Sequence, residues 1–249
     1  VAGPFLDAVP WPTNYVLLYI VSFAMVMGSL YYLSKHEDPP VPKDGRARTS
    51  GLSLFARSIA DKNFVRFLVG VFAVHTGFHI PAGLWTILWV KEMGLNNAWL
   101  GAFSIGSGLM SFLTYRLWGR WSEKYGNMNV LILTALAHMP FPLLYAHWRS
   151  PYVYLAINLA GGFAGAGMNL SLFNALLDLS PKDGRPVYVA LYNIAIGFSG
   201  FVWPFLGVWM YRAMGITSAL DYSTVARIIG MGVAFALLWK RPQPAQQEA

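Results

Sequence analysis

Two histidines one helical turn apart, His75 and His79, lie inside a long apolar run. Imidazole titrates near neutrality, donates and accepts hydrogen bonds, and ligates metals. An i, i+4 pair is half of a zinc site. No third ligand stands at an obvious spacing and no Glu accompanies the pair, so no metal is expected. The pair reads as solute or proton contact, with packing as the plain alternative. Asn158 and Asn169 form a second constellation, 11 residues apart, with Gly162 and Gly165 between them. At about 100° per residue these four share one stripe of a helix. A stripe of amides and glycines should face protein or a water-filled cavity rather than lipid. Its chemistry is solute binding or hydrogen bonding between helices. All eleven Asp and Glu residues fall in connections or at the ends of apolar runs. The expected contacts are therefore hydrogen bonds more than ion pairs, which favours a neutral or amphipathic solute.

The elements that must position these groups are seven apolar runs, at 14–33, 64–90, 97–117, 130–148, 152–177, 187–210 and 225–239. A helix rises about 1.5 Å per residue, so about 20 residues cross the hydrocarbon of a bilayer. The last run is short of that unless its ends extend. Hydrophobic residues make up 56% of the chain and charged residues 12%, about half the charge of a soluble domain. These features predict an all-α polytopic transmembrane helical bundle whose solvent is the lipid bilayer. They argue against a soluble enzyme, so no catalytic residue and no cofactor is expected. The net charge of +7 is not gathered on one patch, which argues against nucleic acid. With the first span leaving on the cytoplasmic side, fourteen Lys and Arg residues fall inside. Only Lys91, Arg149, Arg212 and Arg227 fall outside. That is a positive-inside pattern. There is no cysteine, so disulfides and thiolate metal sites are excluded.

Breakers punctuate the runs: Pro81 and Gly83 in the second, Pro140 and Pro142 in the fourth, Gly161, Gly162, Gly165 and Gly167 in the fifth, Pro204 in the sixth. Proline removes a backbone donor and bends a helix, and small residues four apart, as in Gly161-x-x-x-Gly165, let helices approach. The polar stretch 34–63 carries Pro39, Pro40, Pro42 and a basic cluster and reads as a linker, with an amphipathic helix expected over 50–60 from Leu52, Phe55 and Ile59. Residues 1–13 read as an external loop. The chain opens on Val1 and has an odd number of runs. Together these features lead to the expectation that it is the C-terminal part of a longer protein.

The segment Gly119-Arg120-Trp-Ser-Glu123-Lys124-Tyr-Gly126 resembles the signature loop of the major facilitator superfamily, which lies on the cytoplasmic side between the second and third helices of each six-helix half. Glu123 stands where Asp is commoner, and Asn127 where Arg or Lys is frequent. The stretch Asn169 to Asn193, with Asp178, Pro181, Arg185 and Tyr192-Asn193, is similar to the tenth helix, cytoplasmic turn and eleventh helix of bacterial members. The resemblance implies an external loop and last helix of the N-terminal half over 1–33 and a cytoplasmic central linker over 34–63. A six-helix C-terminal half over 64–240 and a tail over 241–249 follow. It further implies a secondary transporter of the bacterial inner membrane that moves a small solute by rocking, with the missing N-terminal half as partner. His75, His79, Asn158 and Asn169 would contact the solute. Gly119, Arg120, Glu123, Lys124 and Gly126 would form a conformational switch. A non-transporting membrane assembly or pigment-delivery protein is the alternative.

Overall fold

The computed structural model describes residues 2–35, 51–181 and 184–238. Among these the chain is almost entirely helical, with no strand. The elements are α1 (Ala2–Ala8), α2 (Thr13–Ser34), α3 (Gly51–Ala60), α4 (Lys62–His79), α5 (Ala82–Thr86), a π-helical turn (Ile87–Glu92), α6 (Asn97–Tyr125), α7 (Asn127–His138), α8 (Phe141–His147), α9 (Pro151–Leu179) and α10 (Arg185–Leu238). Five helical stretches are long and apolar enough to cross a membrane: α2, α4 through the π-helical turn, α7 with α8, α9, and α10. The expected all-α transmembrane bundle is therefore the fold.

At 54 residues α10 is too long for one crossing. It turns at Gly215, whose φ of 82° and ψ of 171° interrupt the helix, a conformation open essentially to glycine alone. Contacts with α4 show that the chain reverses there. In the first arm Tyr188, Tyr192 and Phe198 meet Phe64, Phe67 and Phe72 in order, so this arm runs parallel to α4. In the second, Arg227, Gly230 and Leu238 meet Gly77, Ala73 and Gly70, so that arm runs antiparallel. The helix that carries the last apolar run, expected over 225–239, therefore begins at 216, because the polar residues before Val225 already belong to it.

The remaining helices alternate in direction in the same way. Along α6 and α9, Gly106 meets Leu159 and Trp118 meets Gly167, a parallel pair. Along α7–α8 and α9, Thr134, His138 and Phe141 meet Gly167, Gly165 and Gly161, an antiparallel pair. α6 thus follows the course of α9, although the glycines and serines between Asn97 and Tyr115 keep it short of the apolar spans.

The interior falls into two main clusters. One, around Phe64, Phe67, Val71, Leu172 and Tyr188, joins α4, α9 and the first arm of α10. The other, around Leu84, Phe103, Tyr145, Tyr154 and Leu220, fills the opposite end of the bundle. The side chains of α2 pack little: of its residues only Asn14 is buried.

One expectation changes and another is met. Residues 1–13 are not simply a loop, since α1 packs on α6. Asp7 caps the start of α6 from a distance, its Oδ1 accepting from Asn97 Nδ2 at 2.8 Å and its Oδ2 from the Ala98 amide at 3.1 Å. A carboxylate there satisfies amides that have no partner within the helix. Of the linker, residues 36–50 lie outside the described residues, while the helix expected over 50–60 is α3. Its Leu52, Phe55 and Ile59 are exposed, and Ser58 on the other face is buried.

Candidate functional site

The histidine pair lies on the last turns of α4, just before the break at Pro81. His75 is buried, and its Nδ1 shares a hydrogen bond of 2.9 Å with the Val71 carbonyl oxygen of its own helix. Its ring centre is 5.5 Å from that of His79. The half-buried His79 reaches across to α10, where its Nδ1 shares a hydrogen bond of 3.0 Å with the buried Ser199 hydroxyl. Gly200 lies beside the ring, where a Cβ would meet His79 Cε1 at an ordinary contact distance of 3.5 Å. The pair therefore stays together and joins two helices that run side by side. Among the described residues no three His, Asp or Glu side chains gather as a metal site.

Asn158 and Asn169 share a stripe of α9 but not an environment. Asn158 Nδ2 donates to Tyr145 Oη at 2.7 Å and to the Tyr154 carbonyl at 2.9 Å. The Tyr154 hydroxyl in turn donates to the Tyr145 carbonyl at 2.9 Å, so Asn158 belongs to a network inside the bundle. Asn169 is exposed and has no hydrogen bond to a described residue. Of the glycines between them, Gly162 lies against the Ser107 carbonyl of α6, and Gly165 faces His138 Nε2. Asn158 and the histidine pair have separate hydrogen-bond partners, Tyr145 and Tyr154 for the one and Val71 and Ser199 for the other.

Sequence reasoning missed Arg227. It assigned this residue to an outer connection, yet Arg227 lies roughly 17 Å along the second arm of α10 and is only 3% exposed. Its Nε donates to the Gly77 carbonyl at 3.1 Å and its Nη1 to the His138 carbonyl at 2.7 Å. The guanidinium carbon lies 4.3 Å from the centre of the Phe78 ring. Among the described residues the one contact within 4 Å between a basic side chain and a carboxylate is His147 with Asp221, at 3.1 Å, so no carboxylate balances Arg227. A charge at the centre of a bilayer costs on the order of 3 kcal/mol or more. Here two carbonyl dipoles and an aromatic face offset that cost. The signal that could have found it is a cation placed midway between Gly215 and the end of the chain's last apolar run.

The switch-like segment is mostly helix. α6 continues through Gly119, Arg120, Glu123 and Lys124, and these charged side chains are exposed. Gly119 makes no turn. Gly126, at φ 85° and ψ 148°, makes the turn alone. The joint is tied through Asn127, whose Oδ1 accepts from the Ser122 hydroxyl and, at 3.1 Å, from Asn174 Nδ2. One side chain thus connects α6, α7 and α9. The nearby Trp118 Nε1 donates to the Phe163 carbonyl at 2.7 Å, so this indole serves the core rather than a membrane-surface belt.

What this arrangement offers chemically is hydrogen bonding. Hydrogen-bonding groups sit on helices broken near their middles, and His79 is paired with the Ser199 hydroxyl. No family model matches the chain. Among curated proteins it is similar to human solute carrier family 67 member A1, at 23% identity over 164 residues. That match covers 64% of this chain and 38% of the human protein, so the chain spans well under half the length of the relative it matches.

Proposed function

We propose that the chain is the C-terminal half, with one preceding helix, of a major-facilitator-type secondary transporter that moves a small solute by alternating access. The observation that carries the reading is the six-crossing unit of alternating direction, broken at Pro81 beside the His75–His79 pair. Helices broken near midplane suit a unit that rocks about a central site. The similarity to a solute carrier supports the same class.

In this reading α2, exposed along its length, packs against the other half of the complete protein. The apolar face of α3 rests on the bilayer surface. Arg120 and Arg185 lie on the cytoplasmic face, and the membrane is a bacterial inner membrane. His79 and Asn169 offer hydrogen bonds to the solute. His75 stands behind His79, and Asn158 acts through Tyr145. The exposed positions at the end of α6 and the turn at Gly126 change partners between states. Because Arg227 puts positive charge near midplane with no acidic partner among the described residues, the solute is neutral or anionic rather than cationic.

The test is flux. The complete protein, reconstituted in vesicles, should accumulate solute down an imposed ion gradient. Asn169→Leu should cut initial uptake by about tenfold, the loss of one strong contact, without loss of folded protein. Wild-type uptake by the variant removes Asn169 from the site. Folded protein that carries no solute from a broad panel favours the assembly role instead.

A further inference from the structure

Pro81 and Pro142 each lack a backbone N–H. In an unbroken helix those amides would bond the carbonyls four residues earlier, which belong to Gly77 and His138. No other backbone donor takes their place. At the first break Ile80 bonds Thr76 and Leu84 bonds Pro81; at the second Met139 bonds Leu136 and Leu144 bonds Pro140. Two buried carbonyls in the middle of a membrane would thus be left unpaired, which lipid cannot remedy. Both are met by one side chain, since Gly77 and His138 are the two acceptors of Arg227.

We propose that Arg227 is a clasp: its guanidinium stands in for the two amides that Pro81 and Pro142 remove, and so fixes the breaks in α4 and α7–α8 to the last arm of α10. The three elements then move as one body. Three features of the site fit this role. Gly77 has no side chain where the arm passes, and a Cβ there would lie 2.5 Å from Arg227 Cα. Guanidinium is a planar fork with several fixed donors, so one residue can serve two acceptors on different helices; an ammonium has no such fork. The Phe78 ring and the carbonyl dipoles account for the absence of a carboxylate. Through Gly77 the clasp also holds the turn that carries His75 and His79. That last clause rests on the transporter reading; the clasp itself does not.

The experiment uses the complete protein in detergent and reads the thermal unfolding midpoint from tryptophan fluorescence. Arg227→Met should lower the midpoint by about 5 °C or more. Adding Pro81→Ala and Pro142→Ala to Arg227→Met should recover most of that loss, because the restored amides pair with the carbonyls of Gly77 and His138. A general packing or charge role for Arg227 predicts no such rescue. A triple variant that melts as low as Arg227→Met overturns the proposal, as does an Arg227→Met protein that melts like wild type. If Arg227→Met does not fold at all, the triple variant decides: folded protein supports the clasp and its absence overturns it. None of these readings depends on flux, so they stand or fall separately from transport.

Discussion

A single acceptor atom holds the joint between α6, α7 and α9. Asn127 Oδ1 takes hydrogen bonds from the Ser122 hydroxyl and the Asn174 amide, and Ser122 is buried. Asn127→Ala removes the acceptor and leaves both donors behind, which costs about 1–3 kcal/mol per buried group. Calorimetry or thermal fluorescence in detergent should show the variant destabilised by about that amount. Asn127→Asp, which keeps an acceptor, should lose less. In the sequence Asn127 was legible only as a departure from a basic pattern, because its worth lies in two partners that the chain brings together at the turn. Arg227 was hidden for a related reason. The stretch before it, Thr217 to Thr224, is rich in hydroxyls and looks like a membrane edge. In the structure Ser223 and Thr224 bond back to the carbonyls of Ala219 and Leu220 at 2.7 and 3.1 Å. This conceals their polarity and lets the helix begin earlier.

At the scale of elements, glycines set how closely helices pass. Spacing pointed to Gly161 and Gly165, but a Cβ added there would meet only ordinary contacts, 3.6 Å from Phe141 and 3.8 Å from His138. The tighter approaches belong to Gly162, against the Ser107 backbone, and Gly167, against Thr134 and Trp118. The close approaches are thus one and two residues away from the pair that spacing named, because the phase that decides which glycine touches which helix depends on a crossing angle that spacing does not contain. Ser111 Oγ also donates to the Gly162 carbonyl at 2.9 Å, so backbone lies against backbone there. Gly162→Ala should therefore push α6 from α9 and destabilise by about 1–3 kcal/mol. Gly108→Ala on α6, where a Cβ would meet open space, should be neutral or better in the same melting assay. The helices themselves were easier to foresee than their contacts. Apolar length shows in composition, whereas the reversal at Gly215 depends on one residue's dihedral angles.

For the whole molecule, the question is which connections share a face. The alternating directions put the α6–α7 turn and the α9–α10 turn at the same end of the bundle, because α6 and α9 run parallel. The charge count gave the same grouping from sequence. Moving Arg227 into the core strengthens it by leaving only Lys91, Arg149 and Arg212 on the sparse side. The chain has no cysteine, so single-cysteine variants give clean labels. In sealed vesicles of one orientation, Arg120→Cys and Arg185→Cys should react with an impermeant maleimide from the same side, and Arg149→Cys from the other. Labelling of the first two from opposite sides would contradict the topology.

The face that carries Arg149 has one more property. Among the described residues its connections are 9–12, 93–96, 148–150 and the lone residue Gly215. Proteases and antibodies need several residues of accessible, extended chain to grip. On that side the described residues offer short turns, α1 and helix ends, so recognition of them from there reads mainly the tips of the cylinders.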